Sequence, residues 1–459
     1  MAESHEIGVR QNSLRRALAT FAERFATELW PLPLIAIVLG VGLGIGLPVV
    51  DRAIDRSLPA LVADILFAGG VDSARAVLSA IAGSLITATS LTFSLTIVAL
   101  QLASSQASPR VMRTFARDRM VHATLAVFVG TFAYALTVLR TVEDGTALTD
   151  PQVPRIAVTL ASLLTLVSVV MLTFFLAHLS RQLRVETVMR QVNRETSATI
   201  RLVGSTENTG IHDVSDVVRP SRVELSLAQG SGFIQGVDRS QLLTIAVRHD
   251  IVIEEEHAVG YNVIRDTPVA RWWPSDTSRH PVADEIATIG REIAPAFRLN
   301  YERTASQDIG FGIRQLADIA TRAVSPGVND PTTAVHALGY LAAILAEFND
   351  LPPQAVALVD DQDSLRVILC ANEFASLMEA AVEQPRRYGV SDPDVAARLF
   401  QLVREVAYRT TEPDRRATIR GQFERLLVSV ADAHYDDVER GRFAALAAQC
   451  EKALNGHWV

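Results

Sequence analysis

The densest group of polar residues that could take part in chemistry lies between residues 301 and 335, in the segment YERTASQDIGFGIRQLADIATRAVSPGVNDPTTAV. Carboxylates, guanidinium groups, an amide and a hydroxyl recur there. Such a mixture could form an ion-pair lattice between subunits or bind a small ligand. The candidate residues are Arg303, Asp308, Asp318, Arg322, Asn329, Asp330 and Thr332.

The same segment also has a purely structural interpretation. Ile309 and Ile313 belong to a series at helical spacing, and the tripeptide Ser-Pro-Gly at 325–327 ends that series. Asp330 then stands where a helix N-cap is expected, with Pro331 at the first helical position. The sequence therefore predicts a helix, a sharp turn and a second, capped helix. Both interpretations stay open.

The usual parts of a catalytic site are missing from the sequence. It has no glycine-rich phosphate loop, no HExxH motif and no serine with a convincing base near it. The two cysteines, Cys370 and Cys450, form neither a disulfide framework nor a metal-binding pattern. We therefore expect no enzymatic activity, no metal site and no cofactor.

A second candidate site is a polar stripe on a long apolar segment. Residues 76–108 contain no charged residue and no histidine, and as a helix they outlast a hydrocarbon core of about 30 Å. At about 100° per residue, one arc of roughly 120° collects hydroxyl and amide side chains, interrupted by Leu91 and Val98. The polar members are Ser84, Thr87, Ser90, Ser94, Gln101, Ser105 and Ser108.

Two interpretations of this stripe stay open. Small hydroxyl residues allow helices to pack closely, and each hydroxyl can bond to a carbonyl one turn earlier in its own helix. Alternatively, several copies of the helix surround a water-filled path, in which Leu91 and Val98 form an apolar constriction that closes by dewetting. One striped helix per chain cannot enclose a lumen, so the second interpretation requires a homo-oligomer.

Hydropathy and charge define four membrane spans. The chain has 459 residues, of which 49% are hydrophobic and 20% charged, as expected for a membrane protein with a large soluble part. Arginines after the second and fourth spans mark the cytoplasmic side. No acidic residue falls inside the predicted spans, which argues against an ion-coupled transporter. The spans are 31–50, 76–108, 120–139 and 154–179.

The expected fold is a four-span α-helical membrane bundle followed by a cytosolic α+β region. Alternation through Ile251, Ile253 and Val259, with glycine turns, predicts a small β-barrel or sandwich. The acidic run 254–256 is interpreted as a solvated strand face, and the chain beyond residue 281 as helical. The expected domains are an amphipathic segment at 1–30, the transmembrane domain at 31–184, a β-rich domain at 185–280 and a helical domain at 281–459.

Two long motifs, SLTFSLTIVALQLASSQASPRVMRTFARD and RTASQDIGFGIRQLADIATRAVSPGVNDPTTA, resemble those of the bacterial family of membrane proteins catalogued as domain of unknown function 2254. The resemblance covers essentially the whole chain. It implies a multi-pass membrane protein with a cytosolic domain and implies no activity. The segments 260–263 and 267–269 are similar to a biotinyl-barrel turn, but Asp266 replaces an expected glycine and no lysine lies at the turn, which argues against a lipoyl or biotin carrier.

These features favour a homo-oligomeric ion channel of the bacterial inner membrane, with both termini cytoplasmic and a cytosolic domain that regulates it. Arg110, Arg113 and Arg117 would ring the inner mouth and attract anions. The alternative is a membrane-anchored regulator or scaffold whose cytosolic domain binds a partner or a small ligand. The expected partners are the lipid bilayer, further copies of the chain and small ions, but not nucleic acid.

Overall fold

The computed structural model describes most of the chain in two compact units, one ending at Arg184 and the other beginning at Val185. The described residues are 30–54, 66–106, 118–143, 153–182, 184–204, 209–210, 217, 219–304, 307–351, 357–370 and 372–458.

Four helices of the first unit are long and apolar enough to cross a membrane, as the sequence predicted. α3 is the central helix of this unit, since its contacts with α1, α2 and α4 are the most extensive, whereas α4 touches α1 and α2 less. By contrast, α1 and α2 have no substantial contact with one another among the described residues. The helices are α1 (Pro31–Ile54), α2 (Val71–Gln106), α3 (Arg119–Leu139) and α4 (Arg155–Gln182).

The closest approach between spans depends on glycine. A Cβ atom at Gly40 of α1 would lie 2.4 Å from the carbonyl oxygen of Gly130 in α3, so any larger residue would push the helices apart. One turn later, a Cβ atom at Gly44 would lie 2.7 Å from that of Thr137. Gly42 and Gly46 meet nothing within 4 Å. Only half of the glycines in this run therefore serve contact between α1 and α3.

A buried carboxylate does lie within the first span, contrary to the sequence prediction. α1 continues to Ile54, so Asp51 is helical rather than part of a loop, and it is only 3% exposed. Its Oδ2 atom accepts hydrogen bonds from the backbone N–H groups of Ile156 (2.9 Å) and Ala157 (3.4 Å). Both donors lie in the first turn of α4, where a negative charge is stabilising. Asp51 thus caps a helix that begins about a hundred residues later in the chain.

The second unit mixes two sheets with helices. The strands are β1 (Thr209–Gly210), β2 (Glu224–Leu227), β3 (Gly232–Val237), β4 (Ile251–Glu255), β5 (Asn262–Val263), β6 (Pro268–Pro274), β7 (Phe297–Asn300), β8 (Ala357–Val359) and β9 (Leu365–Ile368). The helices are α5 (Val185–Gly204), α6 (Arg239–His249), α7 (Ala283–Ile293), α8 (Ile309–Ala323), α9 (Pro331–Phe348), α10 (Phe374–Gly389), α11 (Pro393–Arg409), α12 (Pro413–Ala431) and α13 (Asp437–Leu454).

The strands form two separate sheets, and the described residues do not close into a barrel. One sheet has the order β1-β8-β9-β4-β6-β2 and the other the order β5-β3-β7. β7, β8 and β9 lie beyond residue 281, so that part of the chain is not purely helical as the sequence suggested. The central strand β4 pairs in parallel with β9, which comes about a hundred residues later. Local patterns cannot reveal such a distant partner.

The acidic run at the end of β4 is not a solvated strand face. Glu254 is bound by the guanidinium group of Arg219, and Glu256 by that of Arg271. Glu255 follows Ile251 and Ile253 onto the opposite, buried face of the sheet. Since successive strand residues point to opposite faces, the three carboxylates are divided between an ion-paired surface and the core.

Candidate functional site

The polar stripe of α2 faces away from the rest of its own bundle. α2 packs through residues such as Leu78, Leu85 and Thr92, each less than 5% exposed. At about 100° per residue, the stripe lies on roughly the opposite side of the helix. The described side chains of the stripe are all exposed: Ser84, Thr87, Ser90, Leu91, Ser94, Val98 and Gln101.

The remaining candidates of this region are described less fully or not at all. Ser105 belongs to the final turn of α2. Ser108 and the three inner-mouth arginines, Arg110, Arg113 and Arg117, lie outside the described residues. The stripe is therefore established from Ser84 to Gln101.

A third surface of α2 separates the stripe from the packed face. Ile86, Phe93 and Ile97 are exposed and fall between the two on the helical wheel. Large apolar side chains of this kind suit lipid tails or the apolar flank of a neighbouring helix. α2 thus has a packed face, an apolar exposed face and a polar exposed face.

Threonine hydroxyls on α2 bond to their own helix. The Thr87 hydroxyl donates to the carbonyl oxygen of Gly83 at 3.0 Å, and the hydroxyls of Thr89 and Thr96 make the same type of bond. This is the self-satisfied arrangement that the packing interpretation assumed. The exposed stripe nevertheless does not pack against another span of the same chain, so close packing within the protomer does not account for it.

In the second unit, Arg303 and Asp308 form a two-point ion pair in which the Asp308 carboxylate is buried and the Arg303 side chain is 26% exposed. The Arg303 Nε atom donates to Asp308 Oδ2 at 2.7 Å and Nη2 donates to Oδ1 at 2.8 Å. Asp308 also caps α8 by accepting from the N–H of Phe311. Burial raises the pKa of Asp308, while the guanidinium group and the backbone donors oppose that shift.

This ion pair lies against a tight backbone turn. Gly260 has a φ of +94°, and a Cβ atom there would lie 2.3 Å from Asp308 Oδ2. Only glycine can approach so closely. Asp266, which stands at the expected glycine of the biotinyl-like turn, also has a positive φ, of 65°. Through this contact, Arg303 and Asp308 connect the start of α8 to the turn at Gly260 between the strands before it.

The seven candidate residues of the 301–335 segment do not form one site. Arg303 and Asp308 are at the start of α8, whereas Asn329 and Asp330 follow its end. At 1.5 Å per residue, the 15 residues of α8 separate the two ends by roughly 20 Å. Asp318 and Arg322 lie between them and are partly buried, and Asn329, Asp330 and Thr332 are exposed.

The turn after α8 has the predicted capped geometry. Asn329 adopts a left-handed conformation with a φ of 48°. The Asp330 carboxylate then accepts from the backbone N–H of Thr333 at 3.1 Å and from its hydroxyl at 2.6 Å. These bonds lower the pKa of Asp330. Pro331 starts α9, as the sequence predicted.

Thr332 lines a small cleft that sequence reasoning missed. Its volume is about 240 Å³, and it is lined by residues of α9, α11 and α13. Two arginines reach it, but both have carboxylate partners: Arg398 pairs with Glu405, and Arg442 with Asp394. No local motif links these helices. The lining residues are Pro331, Thr332, Val335, Asp394, Ala397, Arg398, Gln401 and Arg442.

A third glycine contact explains part of the 301–335 motif. A Cβ atom at Gly312 of α8 would lie 1.8 Å from the hydroxyl oxygen of Thr196 in α5. α5 buries Val188, Met189 and Val192 on the side that packs against α8 and α9. The motif therefore provides two things: the Arg303–Asp308 ion pair and, at Gly312, a surface without a side chain against which α5 packs.

Comparison with known proteins identifies relatives but no activity. The family described as "Predicted membrane protein (DUF2254)" matches residues 26–405. Uncharacterized proteins of Mycobacterium bovis and Mycobacterium tuberculosis are each 30% identical over 456 residues, which is 98% of this chain and 85% of theirs. No solved structure matches the chain.

Proposed function

Since the chain belongs to the DUF2254 family of membrane proteins, whose description names no activity, we propose its function from the geometry of α2: a homo-oligomeric ion channel whose pore is lined by this helix. The supporting observation is the exposure of the stripe from Ser84 to Gln101 on the side of α2 opposite its packed face. A row of hydroxyls is poorly placed against lipid tails. Facing copies of the same row form a continuous polar lumen.

Leu91 and Val98 form the gate in this proposal. They lie seven residues apart, or about 10 Å along the helix axis, on the same exposed arc. In a ring of copies each contributes an apolar girdle that empties of water when the pore narrows. The hydroxyls that precede Leu91 in α2, and that of Ser94 between the two girdles, keep the remainder of the lumen hydrated.

The proposed channel lies in the bacterial inner membrane with both termini in the cytoplasm. The arginines at 110, 113 and 117 follow the striped helix in the sequence, and positive residues concentrate on the cytoplasmic side of such proteins. Repeated around a ring, they attract anions to the inner mouth, which favours anion passage. The proposed role is conduction and involves no enzymatic step.

The direct test is conduction by the purified protein in planar bilayers under asymmetric salt. Ser94→Leu places a large apolar group in the lumen and should abolish the current. Phe93→Leu, at the next residue but on the apolar exposed face, should leave it unchanged. An electrically silent wild-type protein, or equal currents from wild type and Ser94→Leu, would overturn the proposal.

Chemical accessibility gives a second test that does not depend on gating. In a background with both native cysteines replaced, Ser94→Cys should react with a charged, membrane-impermeant thiol reagent because it meets water. Phe93→Cys should react at least tenfold more slowly because it meets lipid. A reaction at Ser94→Cys as slow as that at Phe93→Cys would show that the stripe does not face water.

The cleft at Thr332 favours one other function, a membrane-anchored regulator that binds a small ligand in its second unit. Arg398, Gln401 and Arg442 offer hydrogen-bond donors there. Under this function Ser94→Leu would leave the cellular phenotype of the protein intact, whereas Arg442→Ala would remove it. The opposite pattern would support the channel.

A further inference from the structure

Besides Asp308, a second carboxylate is buried in the second unit. Glu255 is the last residue of β4 and is only 6% exposed. Its Oε2 atom accepts a 2.9 Å hydrogen bond from the backbone N–H of Cys370. Its Oε1 atom is buried and has no hydrogen-bond partner among the described residues. A half-satisfied carboxylate in a core is costly when it is charged.

The amide that Glu255 holds is at a junction between structural elements. β9 ends at Ile368 and α10 begins at Phe374, so Cys370 lies on the short link that leads from the sheet to the helices. β4 and β9 pair in parallel, with Glu254 opposite Ile368. The Glu255 side chain extends the contact between the two strands by one more hydrogen bond, beyond the end of the ladder.

The charges near Glu255 and Cys370 come from several elements and are of both signs. Arg239, in the first turn of α6, is the favourable one. The flanking carboxylates of β4 are turned to the other face and paired with arginines. Burial raises the pKa of Glu255 to about 7, with Arg239 and the Cys370 N–H opposing the shift. The other titratable groups near the link are Glu254, Glu256, Glu373 and the Cys370 thiol.

We propose that Glu255 is a pH-sensitive latch, which holds the Cys370 amide beside the end of β4 while its carboxyl group is neutral and releases that amide to water when the group ionises. The neutral acid still offers Oε2 to the Cys370 N–H, so the hydrogen bond tolerates the proton. The ionised group gains water when Cys370 moves away. This device is independent of conduction and concerns the second unit alone.

Linkage sets the size of the effect. If opening returns Glu255 to its ordinary pKa, the opening equilibrium rises about tenfold between pH 6 and pH 8. The reason is that the group is mostly protonated when closed at pH 6 but mostly ionised in both states at pH 8. Below about pH 4.5 both states are protonated and the effect disappears.

Hydrogen exchange of the full-length protein in nanodiscs measures this opening. In wild type, the protection factor of the Cys370 amide, corrected for the intrinsic rate at each pH, should fall about tenfold from pH 6 to pH 8. Glu255→Gln should abolish that change. Glu373→Gln removes an exposed carboxylate from the same link and should retain it. A flat profile in wild type, or a tenfold change in Glu255→Gln, would overturn the latch.

Infrared spectroscopy of the wild type needs no variant and guards against a misfolded Glu255→Gln. A pH 8 minus pH 6 difference spectrum should show the loss of a carbonyl band from a protonated, weakly hydrogen-bonded carboxyl group. Absence of that band would mean that Glu255 does not titrate in this range, and the proposal would fail.

Discussion

In the membrane unit the polar residues of α2 point away from the protein, whereas in the second unit Arg303 and Asp308 point into it. The stripe from Ser84 to Gln101 is exposed along its described length, and it contributes little to the packing of its own chain. The Asp308 carboxylate is 1% exposed and meets a guanidinium group, a helix N-terminus and a glycine turn. Both motifs are rich in polar residues. Only in the second do contacts within the chain, at Arg303 and Asp308, account for polar side chains.

This difference separates two reasons for a polar side chain. An inward ion pair is explained by the hydrogen bonds it makes, and its removal should lower the free energy of unfolding. An outward stripe on a membrane helix has no such explanation within one chain. Under the proposed function, its removal should instead reduce assembly or conduction. Stability measurements can therefore test both regions: a large loss is expected for variants of the ion pair and a small one for variants of the stripe.

The largest effect is expected from breaking the inward ion pair. Arg303→Ala leaves Asp308 buried without its cation and should lower the free energy of unfolding by about 3 kcal/mol or more. Urea denaturation followed by the fluorescence of Trp272 and Trp273 measures it. Arg409→Ala is the matched control, because its pair with Asp350 is more than half exposed on both sides, and it should cost less than about 1 kcal/mol. Equal losses of unfolding free energy in the two variants would contradict the expected difference between the inward and the exposed ion pair.

The buried Glu255 should make the stability of the second unit depend on pH. Its pKa is raised on folding, so its contribution is fully present below the unfolded value near 4.5 and is lost as the pH rises through about 7. The loss amounts to about 3 kcal/mol, from 1.36 kcal/mol per pH unit. Urea denaturation at pH 5 and pH 8 should show this slope in wild type and a flatter one in Glu255→Gln. Parallel slopes would contradict it.

A smaller effect should come from the glycine under α5. Gly312→Ala forces a Cβ atom against Thr196 and should cost about 1–3 kcal/mol in urea denaturation. The loss should shrink in a Thr196→Gly background, where the obstructing side chain is gone. Gly421→Ala is the control: it lies in α12 with nothing within 4 Å and should stabilise the protein by about 0.5–1 kcal/mol. Additive losses at Gly312 and Thr196 would argue against direct contact.

The smallest effect on stability is expected on the stripe itself. Ser94→Leu should change the thermal stability of the detergent-solubilised monomer by no more than about 0.5 kcal/mol, because Ser94 is exposed. Leu85→Ala, on the packed face of the same helix, should cost about 2 kcal/mol or more because it leaves a cavity. A large loss at Ser94 would show that the stripe serves the fold of its own chain.

Sequence reasoning predicted the features that local patterns encode. Long apolar runs revealed the four membrane helices, and the Asn-Asp-Pro segment revealed the cap at Asp330. The inward position of Glu255 could also have been found, since it continues the alternation of Ile251 and Ile253. The sequence interpretation gave more weight to the acidic character of its neighbours than to that alternation.

The features that were missed depend on residues far apart in the chain. Asp51 caps a helix about a hundred residues later, and β9 joins β4 over a similar separation. The approach of Gly260 to Asp308 likewise joins a strand turn to a helix start. None of these has a periodic signature. The described structure was needed to show that the two ends of α8 are separate places and not one site.

The central position of α3 has a consequence for how the protein enters the membrane. α1 and α2 leave the ribosome first, yet the described residues give them no substantial contact with one another, so neither packs against a helix of its own unit until the third span arrives. Insertion and assembly are then separate stages. During the interval the serines of α2 face lipid or the insertion machinery, and in the proposed homo-oligomer copies join through α2 only after α3 has packed against the other helices.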